Sequence, residues 1–235
     1  MEAEEINKKI EITWKAVELF EKKGKVSISE LVKETGFTSS EIYALFPNKH
    51  AILEYYYPAL VLQYWAMIEE IEGFESYSLS EKFSNFAYTT FDMMSENEKF
   101  LKRTFNRYVF QKGSGSAYHG EVTELLKHFL TSDAEISVSA GFFMKSYYYS
   151  FLSSQFLFLL KYWMKDTSEG KERTLALTDK LTSLLQESVY NKTIDMSFDL
   201  LKYIFTSSGV EKNIPFLCEC TTKDKDEEKE DTDNE

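Results

Sequence analysis

Arginine is almost missing from this chain. Three of its 235 residues are arginine, and the formal net charge is −12. An acidic balance of that size argues against a protein that coats nucleic acid or anionic membrane without regard to sequence. Cysteine is scarce too: Cys218 and Cys220 are the two present, too few for a secreted disulfide scaffold and in keeping with a reducing, cytoplasmic setting. Nine glycines and three prolines are sparse punctuation, which speaks against a turn-rich β protein and for long helices. The longest uncharged apolar stretch, fifteen residues from Ser146 to Leu160, would cover about 22 Å as a helix, short of the ~30 Å hydrocarbon core. It reads as a buried helix, and no membrane partner is expected. The start, MEAEEINKK, is acidic and lacks an apolar segment, which predicts that no signal peptide is present. Catalytic patterns are missing as well. There is no H-E-x-x-H and no G-x-x-x-x-G-K, Gly113 to Ser116 reads as a flexible loop, and His50, His119 and His128 show no ligand-type spacing. Two cysteines alone do not make a zinc site. No catalytic residue, metal or cofactor is therefore expected.

What is present is apolar and helical. Hydrophobic residues make up 43% of the chain and aromatics 16%, enough to bury a substantial core. Ile6, Ile10, Trp14, Val17 and Leu19/Phe20 recur at helical spacing up to Gly24. Ser27-Ile28-Ser29-Glu30 then has the form of a capping box, opening a short helix that carries Ile28, Leu31 and Val32 inward and stops at Gly36. A second box, Thr38-Ser39-Ser40-Glu41, follows eleven residues later and opens another short helix bearing Ile42, Leu45 and Phe46. Pro47-Asn48 breaks the chain, and Asn48 can cap a third start at Lys49. Two short capped helices around a glycine-containing turn, packed on a longer one, form a helix-turn-helix, whose second helix enters the major groove.

The segment from Ile28 to Lys49 resembles the signature of the TetR/AcrR (tetracycline-repressor-like) regulators. It has a glycine turn before the recognition helix, a Tyr within that helix and a Phe-x-x-Lys motif opening the next one. Ala16 to Phe20 and Gly24 match the end of the first helix, so the likeness covers roughly residues 6–57. The resemblance implies an all-α fold, with an N-terminal three-helix helix-turn-helix domain (1–57) and a C-terminal helical bundle for ligand binding and dimerisation (58–220). An acidic tail (221–235) would follow; its eight acids and three lysines read as a disordered solubilising segment. Carried over residue by residue, the resemblance places DNA contacts at Thr38, Ser39, Ser40, Tyr43 and Lys49. Hydroxyls can meet phosphate or base edges, and a lysine supplies charge at the backbone. The head departs from the pattern in charge. Residues 1–57 hold eight lysines, no arginine and ten acids, and Glu41 sits inside the recognition helix. The head thus has no bidentate guanine reader of the commonest kind.

Beyond residue 57 the periodicity predicts helices over 58–72, 79–95, 97–111, 120–131, 134–165, 171–190 and 194–207. The apolar pattern also joins Lys49 to about Glu72 into one helix with Pro58 in its middle, where proline removes a backbone hydrogen bond and kinks or hinges the helix. The run from Tyr162-Trp163 through Asp166-Thr167-Ser168 to Asp199–Tyr203 is similar to C-terminal domains in one branch of the same family. The family resemblance implies a homodimer through the last two long helices, 134–165 and 171–190, and a small, apolar effector. The aromatic and methionine side chains suit either a ligand pocket or core and interface, and spacing does not separate the two. The candidate effector residues are Met94, Arg103, Phe105, Arg107, Tyr108, Tyr147, Phe151 and Gln155. Arg103 and Arg107 lie one helical turn apart and suit either an anionic head group or surface ion pairs. The expected function is that of a ligand-responsive repressor that binds a palindromic DNA operator as a homodimer. The alternative is a lipid- or small-ligand-binding protein of the same fold without DNA function.

Overall fold

The computed structural model describes residues 2–132 and 146–190, and among them every regular element is helical. The helices are α1 (Glu2–Lys23), α2 (Ile28–Thr35), α3 (Ser39–Leu45), α4 (Lys49–Glu69), α5 (Leu79–Ser95), α6 (Glu98–Phe105), α7 (Ala117–Thr131), α8 (Ser146–Lys165) and α9 (Glu172–Tyr190). Residues 1–189 form one compact unit; a second unit, 190–235, lies outside the described residues apart from Tyr190. The expected helix over 194–207, the part of the expected helix over 134–145, Cys218, Cys220 and the acidic tail also lie outside them.

The caps read from the sequence are in place. The Ser27 hydroxyl accepts from the Glu30 N–H and donates to its carboxylate at 2.7 Å. Thr38 and Glu41 form a reciprocal capping box, and Asn48 Oδ1 accepts from the Ala51 N–H at 3.0 Å. Gly36 ends α2 with φ +76°, returning its N–H to the Val32 carbonyl; a side chain there would strain the turn. Ser78 caps α5 with Glu81. Ser116 caps α7 and starts it three residues before the position periodicity predicts. The predicted helix over 97–111 departs further. After α6 the chain widens into a π turn, Asn106–Phe110, in which the Gln111 N–H reaches the Asn106 carbonyl at 2.8 Å. Phe105, Tyr108 and Val109 point inward in either geometry, so their spacing carries no sign of the wider turn.

α4 is the central strut. It buries residues on every side, including Ile52, Tyr56, Tyr57, Leu60, Val61 and Tyr64, and packs against α1, α5 and α7. It stays helical through Pro58, which is buried within it. The helix-turn-helix is fastened to the body by aromatic side chains. Trp14 of α1 meets Tyr56 edge-on at 5.0 Å, Tyr56 meets Phe100 of α6 at 4.9 Å, and Phe20 of α1 meets Phe100 at 5.5 Å. Such pairs contribute about 0.5–1.5 kcal/mol each beyond their buried area. The Glu21 carboxylate of α1 also accepts from the Phe100 N–H at 2.6 Å. It satisfies one of the free donors at the start of α6, where Asn97 makes no side-chain cap bond.

α8 and α9 close the body. Phe91 of α5 stacks on Trp163 of α8 with centroids 5.5 Å apart and planes 4° from parallel. The Asp166 carboxylate ties the turn between the two helices, accepting from the N–H and hydroxyl of both Ser168 and Thr174. These bonds hold its pKa well below the usual carboxylate range.

Phe100 is fully buried where head and body meet. Phe100→Ala should cost about 3–5 kcal/mol, read as a lowered denaturation midpoint at unchanged m-value.

Candidate functional site

The α2–α3 pair rests on Leu31, Ile42 and Phe46, all buried. That packing leaves the outer side of α3 and the first turn of α4 in solvent. Thr38, Ser39, Ser40, Tyr43 and Lys49 are all exposed, Tyr43 at 52%. Thr38 is already occupied: its hydroxyl donates to Glu41 Oε2 at 2.7 Å and accepts from the Glu41 N–H. The Thr38 N–H also donates to Glu41 Oε2 at 2.7 Å, and this bond and that of the hydroxyl lower the Glu41 pKa. The carboxylate inside this helix therefore has a local structural role, completing the cap. The capping box read from the sequence is thus formed, and it accounts for the one acid inside the recognition helix.

The lysines of the head divide into two sets. Lys8, Lys9, Lys15, Lys22 and Lys23 pair with Glu4, Glu5, Glu18, Glu18 and Glu30. Lys25, Lys33 and Lys49 make no ion pair among the described residues. Lys33, which the sequence reading passed over, is exposed in the last turn of α2. With Lys49 it brackets α3 along the chain.

The candidate effector residues do not form one group. Met94 and Phe105 are buried in the core. Tyr108 is buried, and its hydroxyl lies 3.0 Å from His50 Nδ1 of α4. Arg103 and Arg107 are both exposed. The Arg103 guanidinium lies 5.9 Å over the Phe20 ring of α1, and that of Arg107 lies 5.6 Å over Tyr108. Neither makes an ion pair among the described residues. Phe151 and Gln155 face solvent on α8, and the side chain of Tyr147 lies outside the described residues.

A different cluster does converge in the body. Tyr57 of α4 faces Phe105 of α6 and Tyr118 of α7, each with ring centroids 5.9 Å away. The Tyr57 hydroxyl shares a 2.8 Å hydrogen bond with Thr104. The Tyr118 hydroxyl is buried and has no hydrogen-bond partner among the described residues. Burial pushes the pKa of both phenols far up, so they act as neutral donors or acceptors. Nothing in the local sequence marks Tyr118; it takes the fold to strand its hydroxyl in an apolar interior. Beside it His119 is buried, with Nε2 3.0 Å from the Ser150 carbonyl and 3.2 Å from the Ser154 hydroxyl of α8. Thr123 links the same histidine to Ser153. These bonds bind α7 to α8. Among the described residues no three His, Cys, Asp or Glu side chains gather as a metal site would require, and no helix is long and apolar enough to cross a membrane.

A family model described as a tetracyclin repressor-like C-terminal domain matches residues 82–204, just over half of the chain. The chain belongs to the tetracycline-repressor-like family. No curated protein matches it. The matched region runs from the first turn of α5 through α9. The reading of the first 81 residues rests on their own motifs and geometry. Within this family member, the exposed face of α3 lies beside the first turn of α4, and the buried Tyr57–Tyr118 cluster lies along the middle of that helix.

An unsatisfied buried hydroxyl costs about 1–3 kcal/mol. Tyr118→Phe, which keeps the ring and removes the hydroxyl, should raise unfolding stability by about 1 kcal/mol. A fall in stability under chemical denaturation would mean that the hydroxyl has a partner.

Proposed function

We propose that this chain is a ligand-responsive DNA-binding repressor that acts as a homodimer on a roughly palindromic operator. The observation that carries the reading is the exposed surface of α3 and the first turn of α4. There Ser39, Ser40, Tyr43 and Lys49 are turned to solvent by a buried Ile42–Leu31–Phe46 core. The hydroxyls of Ser39 and Ser40 would meet base edges or phosphate, that of Tyr43 would donate to a phosphate, and Lys49 would supply charge there. Residues 1–57 form the reading head, residues 58–220 the effector and dimer domain.

The effector would be a small, largely apolar molecule with one polar group, taken up at the Tyr57–Phe105–Tyr118 cluster, where that group would engage the Tyr118 hydroxyl. Its arrival would shift α4 and α6. Both reach the head directly: α4 through its own first turn, α6 through Glu21, Phe20 and the Arg103 guanidinium. Pro58, in the middle of α4, is the natural point for that helix to flex.

Dimerisation would use α8 and α9. Phe151, Phe158 and Tyr162 fall on one face of α8 and are 57%, 56% and 43% exposed, with Leu175 and Leu181 exposed on α9. Large apolar side chains grouped in solvent mark an interface, and a two-fold axis would pair this surface with itself. Light scattering at micromolar concentration should give twice the chain mass, and the double variant Phe151→Glu/Phe158→Glu should give a monomer.

For the head, Tyr43→Phe and Lys49→Ala should each weaken operator binding without loss of fold, and Lys49→Ala should reduce the salt slope by about one. The assay is a salt-titrated binding measurement on DNA upstream of the gene. The second reading is a ligand-binding protein of this fold without DNA function. It is favoured by the five head lysines already paired with glutamates. Wild-type dimer that prefers no genomic fragment at low salt would establish it.

A further inference from the structure

A cleft of about 540 Å³ opens between α1, α4 and α5. It is separate from the Tyr57–Tyr118 cluster, which lies among α4, α6 and α7. Its walls are contributed by the head helix α1 and by two helices of the body. Trp14 of α1, Met67 of α4 and Met93 of α5 line it. Trp14 and Met93 are half-buried and Met67 is exposed, so their apolar surfaces are open to an occupant. Glu18, Asp92 and Glu96 also line it, whereas no lysine, arginine or histidine does. Glu18 is engaged by Lys15 at 3.1 Å and Lys22 at 3.8 Å. The Asp92 and Glu96 carboxylates make no ion pair among the described residues.

We propose that this cleft binds a small organic cation with an aromatic or branched apolar body, and that the bound cation fastens α1 to α5. Its size lies in the range of small-molecule sites, and its wall is mixed, apolar and polar in nearly equal measure, which suits a ligand with an apolar body and a charged group. An indole face and two thioethers suit a soft, weakly hydrated cation, which an aromatic ring attracts through its quadrupole. The two unpaired carboxylates select the sign of the charge. An inorganic cation or a polyamine would leave the apolar wall uncovered, and an organic anion would face three carboxylates. Because α1 carries the head and α5 belongs to the body, an occupant would restrain their relative movement whether or not the head reads DNA.

The test uses the full-length protein and a pair of ions of the same shape and opposite charge, tetraphenylphosphonium and tetraphenylborate, followed by calorimetry. Tetraphenylphosphonium should bind with one site per chain, and tetraphenylborate should not bind at that site. Asp92→Asn/Glu96→Gln changes two exposed side chains outside the core and should weaken phosphonium binding about tenfold or more, a loss of roughly 1.4 kcal/mol or more. Trp14→Leu should weaken it independently, and circular dichroism should show both variants folded. Equal binding of the two ions, phosphonium binding unchanged in the carboxylate variant, or no phosphonium binding by wild type would each overturn the proposal. No DNA enters the experiment, so a failure of operator binding and a failure of this site are read separately.

Discussion

Among the described residues, the fold is arranged around the burial of α4. A helix that buries residues on all sides has to be enclosed, and α1, α5 and α7 enclose it. Its first turn nevertheless carries Lys49 into solvent beside the exposed face of α3. One continuous helix therefore has one end on the proposed reading surface and its middle in the aromatic interior. Since packed interiors do not deform continuously, a change around Tyr57 cannot be absorbed locally without moving α4 or its neighbours.

The joint between α1 and the helices of the body is made of direct side-chain contacts. Phe100 is shared by Tyr56, Tyr57 and Phe20, and Glu21 reaches out of α1 to satisfy a backbone donor of α6. His50 to Tyr108 and the 2.5 Å Glu54–Lys112 pair add two links between α4 and the π turn and loop after α6. π turns recur at functional positions because they break the regular ladder at one point. Here the turn sits where α6 hands over to the loop leading to α7, in contact with the first turns of α4.

Charge is handled locally. The head has more acids than bases, yet most of its glutamates serve caps or pair with neighbouring lysines, as Glu30 and Glu41 show. The hydrogen bonds that hold Glu30 to Lys23 and Ser27 bring its pKa to about 2. A group with a depressed folded pKa lends stability that is complete above its ordinary value and lost as the pH falls toward the depressed one. These acid caps therefore favour the fold at neutral pH and weaken together in acid. In the α1–α4–α5 cleft, by contrast, the Asp92 and Glu96 carboxylates make no ion pair among the described residues, which gives that groove its sign.

Much of the fold was legible in the sequence because the deciding signals are local. The caps at Ser27, Thr38 and Asn48, the glycine at Gly36 and the periodic apolar residues act within one or two helical turns, so they set where α2, α3, α4 and α5 begin. The family likeness of residues 28–49 and of the Tyr162–Tyr203 run rested on such local patterns too, and the body match bears out the family. How the candidate effector residues are distributed among core and surface was not legible. Met94, Phe105, Arg103, Phe151 and Gln155 all have plausible chemistry, but whether an aromatic or a cation faces a pocket, the core or solvent depends on which helix lies opposite. Packing sent Arg103 onto Phe20 and left Phe151 outside. It widened the turn at 106–110, made Glu21 a cap for a helix 79 residues away, and isolated the Tyr118 hydroxyl. Those outcomes belong to the tertiary structure because each depends on partners distant in the chain, brought together only when α4 is enclosed.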